Sequence, residues 1–96
     1  MKPILYESTE KQFNHNGIGT LADAISCIVI EERNGSYELE MEYPLGGIHY
    51  EEIKNNNIVL AVPSDGKQAQ PFRIYKITRP IGGVVSVYAE HISYDL

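Results

Sequence analysis

A chain of 96 residues, 43% apolar and 22% charged, has the composition of one ordinary globular domain, which excludes a disordered tail and a membrane-spanning protein. Thirteen acidic against eight basic residues give a net charge of -5, which repels phosphate backbones and argues against specific nucleic-acid binding. Cys27 is the only cysteine, which rules out an internal disulfide and a Cys-rich zinc site and points to folding in a reducing cytosol.

In chain order, the first ten residues hold one Lys and a short apolar run before Glu7. That is far short of a signal-peptide core or a membrane anchor, so neither is expected. Residues 3–6 predict a short strand. Residues 14–19 (Asn-His-Asn-Gly-Ile-Gly) predict a loop, and Thr20 to Ala24 one helical turn. From Ile25 the β-branched density rises, Asn34-Gly35 follows, and then Tyr37, Leu39, Met41 and Tyr43 alternate with Glu38, Glu40 and Glu42. This pattern predicts a β-hairpin with one apolar and one acidic side.

Two registers of that hairpin are open. A two-residue turn at Asn34-Gly35 sets Ile30 opposite Leu39 and Ile28 opposite Met41. A three-residue loop with a bulge at Gly35 slips the pairing by one, so that Val29 faces Leu39 and Cys27 lies beside Met41. Glu38, Glu40 and Glu42 share one side in both.

Pro44 to Gly47 ends the hairpin, residues 48–57 predict a short helix or turn with Asn55 to Asn57 able to adopt left-handed backbone, and residues 58–62 (Ile-Val-Leu-Ala-Val) predict a buried strand. A turn at Ser64-Asp65-Gly66 leads into a strand over 71–79, with Phe72 and Ile74 on one face and Tyr75 and Ile77 on the other. Pro80 to Gly83 turns into a last strand over 84–90. Residues 90–96 lose the two-residue period and predict the start of a helix cut short. The fold class is mainly β: an antiparallel meander of six strands forming a small barrel or sandwich, with one or two short helices, in a single domain over 1–96.

Few motifs carry chemistry. Gly17 to Ala22 fits the dinucleotide pattern G-x-G-x-x-A, but no strand precedes it and no crossover helix follows, which favours a plain loop. Cys27, His15, His49, His91 and Asp23 invite a nucleophile-base-acid reading. Cys27 sits inside an apolar strand, where packing is the favoured role, and the histidines lack metal-pair spacing. Glu7, Glu10, Asp23, Glu51 and Glu52 offer carboxylates for glycosidase-type chemistry, yet surface solvation accounts for them more simply. The seven tyrosines, Tyr6, Tyr37, Tyr43, Tyr50, Tyr75, Tyr88 and Tyr94, suit strand packing better than a ligand-stacking platform, given few basic neighbours (Arg73, Lys76, Arg79). No catalytic, cofactor or metal residues are assigned.

Residues 25–53, then residues 70–77 (Gln-Pro-Phe-Arg-Ile-Tyr-Lys-Ile), then residues 87–96, in this order and spacing, resemble the N-terminal region of phage tail proteins of the prophage endopeptidase tail type, also called minor structural or tail-associated lysin proteins. The resemblance covers essentially the whole chain. It implies a virion tail-tip (baseplate hub) location, synthesis in the bacterial host cytoplasm, a trimer in the full-length protein, and contacts with other tail-tip proteins. Barrel-like domains of such proteins continue the tail tube. Family members extend further, often to a C-terminal peptidase, lysin or carbohydrate-binding part, so this chain reads as the N-terminal fragment of a longer hub protein and no enzyme activity is carried over.

Under that resemblance, Glu38, Glu40 and Glu42 are a candidate lumen or subunit-interface face. Lining a bore, they would let DNA pass without adhesion; the plainer account is a solvated face or a subunit contact. The alternative function is a stand-alone β-module binding carbohydrate or single-stranded nucleic acid through its tyrosines.

Overall fold

Alternation between apolar and polar residues sets the faces of Tyr37–Pro44 and Val84–His91, and a computed structural model describes residues 3–9, 17–32, 37–62 and 68–95. Among the described residues seven strands form one antiparallel sheet: β1 (Ile4–Tyr6), β2 (Gly19–Thr20), β3 (Ser26–Glu31), β4 (Tyr37–Pro44), β5 (Ile58–Ala61), β6 (Gln70–Ile77) and β7 (Val84–His91). The spatial order is β2-β1-β5-β6-β7-β4-β3, and the sheet curls into a half-barrel. β5, β6 and β7 form a meander. The β3–β4 hairpin joins it out of sequence, with β4 beside β7, a Greek-key arrangement. Two 3-10 turns, Tyr50–Glu52 and Ile92–Asp95, are the helical elements among the described residues.

The concave face holds the main core. Leu39, Met41 and Tyr43 from β4 meet Val85, Val87 and Ala89 from β7, Phe72 and Ile74 from β6, and Val59 from β5. All are buried, each large side chain contributing about 1.5–3 kcal/mol relative to exposure. Leu21 and Ile53 close the ends of this core from loops. A second cluster, Tyr6, Ile58 and Leu60 with Ile92 against it, covers the convex face at the β1–β5 end. β5 is therefore buried on both faces, as its unbroken apolar run requires.

The hairpin adopts the slipped register: Val29 pairs with Leu39, Cys27 with Met41, and Ile28 with Glu40. The Asn34-Gly35 and Ser64-Asp65-Gly66 turns lie outside the described residues. Ile81 and Val84 exchange both backbone hydrogen bonds around Gly82 and Gly83, whose φ of 62° and 79° suits a two-residue hairpin loop that other residues enter with strain. Asn56 takes the left-handed backbone foreseen for it, with φ 79°.

Three expectations are corrected. Ile77 does not share a face with Tyr75: the register shifts between Ile74 and Lys76, so Tyr75 is the extra residue of a bulge and Ile77 returns to the concave side opposite Val87. Residues 20–24 form no helical turn, because Thr20 pairs with Ile4 and a plain turn follows. A seventh strand, β2, exists because that pairing extends the sheet beyond β1.

Candidate functional site

Glu38, Glu40 and Glu42 project from the convex face of β4 because Leu39, Met41 and Tyr43 commit the alternate positions to the core. Across β3 they face Ile30, Ile28 and Ser26; across β7 they face Glu90, Tyr88 and Ser86. The structure thus gathers the three predicted glutamates into one row, flanked by two isoleucines on one side and by Tyr88 and Glu90 on the other.

Glu38 directly opposite Glu90 is an unfavourable pairing of like charges. Two neighbours relieve it. Arg73 lies opposite Glu90 on β6, and its Nη1 donates to the carbonyls of Asn56 (2.7 Å) and Ser8 (3.0 Å), which fixes the guanidinium on this face. The Tyr75 hydroxyl donates to Glu38 Oε1 at 2.8 Å. That bond to a carboxylate, with burial and the charges of Glu38 and Glu90, pushes the phenol up to about 12. Lys76 Nζ sits 5.5 Å from the Tyr88 ring centre, a cation–π contact on the same surface. At the other end of the row, Ser26 Oγ donates to Glu42 Oε1 at 3.3 Å.

Among the described residues β3 ends the sheet, and its outward residues are unusually apolar for an edge: Ile28 and Ile30 are 56% and 38% exposed, and Ile25 just before the strand is 58% exposed. The acidic row therefore borders a greasy open edge rather than water alone. Sequence reasoning left this open because the alternative register would have turned Ile28 and Ile30 into the core.

The remaining candidates are placed apart from one another. Cys27 is half-buried on the core side of β3 and burial pushes its thiol up to about 11, the chemistry of an inert packing group. Asp23 accepts the Ile48 N–H at 2.8 Å, which with a hydrogen bond from the Tyr43 hydroxyl to the Ile48 carbonyl pins the loop after β4. His91 lies at the far end of β7, at the row of Phe72, four positions from the residue opposite Met41. Its ring stacks on Tyr37 at 4.8 Å and 10°, its Nε2 meets Gln70 Oε1 at 2.8 Å, and its Nδ1 meets Ser93 Oγ at 3.0 Å. His49 covers Gly19. His15 and Glu10 lie outside the described residues. Among the described residues no group of three His, Cys, Asp or Glu side chains is placed to hold a metal ion.

Glu51 and Glu52 line an open cleft of about 400 Å³ with Leu45, His49 and Tyr50, while Glu7 and Asp23 lie outside that lining. Gly17 and Gly19 serve packing: a Cβ at Gly17 would meet the Leu5 carbonyl at 2.6 Å, and one at Gly19 would collide with the His49 ring. Of the tyrosines, Tyr6 and Tyr43 are fully buried, Tyr37 and Tyr50 pack against the core, and Tyr75 and Tyr88 share the convex face. No helix among the described residues is long and apolar enough to cross a membrane. No protein-family model, curated protein or solved structure matches this chain.

Proposed function

We propose that this chain is a structural and assembly module of a phage or prophage tail tip, contributing a tube-like β domain to an oligomeric ring and carrying no catalysis in this segment. The observation behind this is the open half-barrel whose edge strand exposes Ile28 and Ile30 beside Glu38, Glu40 and Glu42. A curled sheet with an apolar free edge gains stability by being covered, and neighbouring subunits supply cover in a ring. The resemblance of residues 25–53, 70–77 and 87–96 to tail-hub proteins names the setting.

The isoleucines favour a subunit contact over a bore lining for the acidic face. A bore wall carrying DNA is served by carboxylates and hydroxyls, whereas apolar side chains at half exposure favour burial. In this reading, contact with other tail-tip proteins uses this surface, and DNA passes elsewhere without specific binding.

Immunogold labelling of particles purified from the host, with an antibody to this chain, tests the assignment. Gold at the tail tip is the expected result; particles that lack the chain would overturn it.

One observation favours a second reading. Tyr75, 46% exposed, neighbours Tyr88 and Lys76 on the convex face, an aromatic and cationic group of the kind that stacks on sugars. Glycan binding lost in Tyr75→Ala and Tyr88→Ala, with the fold intact, would support a carbohydrate-binding module instead.

A further inference from the structure

We infer that the free edge of β3 accepts an extended strand from a partner protein in which aliphatic residues alternate with Lys or Arg. The inference deepens the assembly reading and rests on it for the existence of a partner. It specifies the chemistry that partner must bring.

The backbone of β3 is prepared on one side only. Leu45 N–H donates to Gly83 O, which sets the odd-numbered residues of β4 to bond β7 and the even-numbered ones to bond β3. The partners of those even residues are Ser26, Ile28 and Ile30. The N–H and C=O groups of Cys27 and Val29 therefore point away from β4, along the outer side of the last strand. Natural edges are usually blunted by Lys, Pro or a bulge, and β3 has no Lys or Pro in its six residues.

The side chains say the same. Ser26–Glu31 is apolar on both faces through Cys27 to Ile30, the pattern of a strand flanked and covered on both sides. Among the described residues it has one neighbour strand, β4. Cys27 and Val29 are only half-buried against the core, while Ile28 and Ile30 stand out beside the glutamates.

These features fix the occupant. Inward residues of an added strand extend the core over Cys27 and Val29, so they are aliphatic. Outward residues lie beside Ile28 and Ile30, about 4.8 Å away, with Glu38 and Glu40 one strand further at about 10 Å. A Lys or Arg spans that distance: its methylene stem covers an isoleucine and its charged head reaches a carboxylate. A second copy of β3 would bring isoleucines without cations and add to a chain already at net charge -5, so the complementary partner is a different, basic strand.

The test uses the whole chain and a synthetic alternating Val-Lys heptapeptide, its Val-Glu counterpart, and a Val-Lys peptide N-methylated at alternate residues. Fluorescence anisotropy reads affinity, and hydrogen exchange reads the Cys27 and Val29 amides. The Val-Lys peptide is expected to bind, to weaken with salt, and to protect both amides, while the other two peptides do not bind. Affinity should fall at least about tenfold in the triple variant Glu38→Gln, Glu40→Gln, Glu42→Gln and in Val29→Pro. The latter blocks the edge while keeping the ladder to β4, since proline is tolerated where the N–H faces outward.

Equal binding to Val29→Pro, or to the N-methylated peptide, would reduce the effect to charge attraction and overturn strand addition. Absence of binding by the Val-Lys peptide would overturn the inference while leaving gold labelling at the tail tip untouched. Concentration-dependent protection of the two amides without peptide would make the occupant a second copy and would overturn the basic partner.

Discussion

The Tyr75 hydroxyl crosses over β7 to reach the Glu38 carboxylate at 2.8 Å, joining β6 to β4 over the strand between them. The bulge makes this possible, because the extra residue at Tyr75 turns its side chain onto the convex face without disturbing Ile74 or Ile77. The bond holds the phenol protonated up to about 12, against an ordinary value of 10.0. Since the folded value exceeds the unfolded one, this contribution to stability is complete below the ordinary tyrosine range and is lost as pH rises through about 12. An absorbance titration should show Tyr75 ionising late, alongside Tyr37 and Tyr43, which burial also pushes up; of these, the Tyr75 step is the one tied to Glu38. Glu38→Gln should return it toward the ordinary value; an unchanged curve in that variant would remove the assigned cause. Tyr75 is partly exposed, so Tyr75→Phe should cost less than about 1 kcal/mol.

Gly17→Ala should be among the more costly single-methyl changes in the chain. The residue has φ 58°, and a Cβ there meets both the Leu5 carbonyl and the Tyr6 ring at 2.6 Å. Left-handed strain and overpacking together give about 2–4 kcal/mol, read as a fall in thermal midpoint of about 10 °C or more. Gly82→Ala, at an open turn with nothing near the added methyl, should cost only its backbone strain. Equal losses for the two would contradict the packing role.

Below neutral pH, His91 should weaken the fold. Burial lowers its pKa from the ordinary 6.5, and Nδ1 accepts the Ser93 N–H at 3.2 Å, a bond a protonated ring cannot accept. A depressed folded value means that stability is present above the ordinary value and is lost as pH falls through the folded one. Chemical denaturation at several pH values should show His91→Phe with a flatter dependence over this window than the parent chain. Parallel curves would show that His91 contributes no such slope.

Cys27 should react slowly with thiol reagents. A thiol held near 11 rather than 9.0 carries about 100-fold less thiolate at neutral pH. Fast, stoichiometric labelling of the native chain would contradict its packing against the core.

Strand identity was legible wherever side chains alternate or run apolar. Leu39, Met41 and Tyr43 announced their own burial, as did the run from Ile58 to Ala61, and two of the tight turns showed in Gly82-Gly83 and in Pro44 to Gly47. The hairpin register was not legible, because Cys27 to Ile30 is apolar on both faces and satisfies either pairing. The pairing of Val29 with Leu39 decides between them, and it turns Ile28 and Ile30 outward. The bulge at Tyr75 was invisible for a related reason: one inserted residue reverses the face of everything after it, and no local residue marks the spot. Glu38, Glu40 and Glu42 were readable as one face, but their neighbours Tyr75, Tyr88 and Ile28 come from three different strands and emerged only with the topology.

The most direct measurement of whether the convex face of β3 and β4 is an assembly surface is a photocrosslinker at position 28 in assembled particles. With benzoylphenylalanine replacing Ile28, irradiation followed by mass spectrometry should yield a covalent adduct to another particle protein or to a neighbouring copy. Particles that contain the substituted chain and give no adduct at that position would show the face open to solvent and contradict the account.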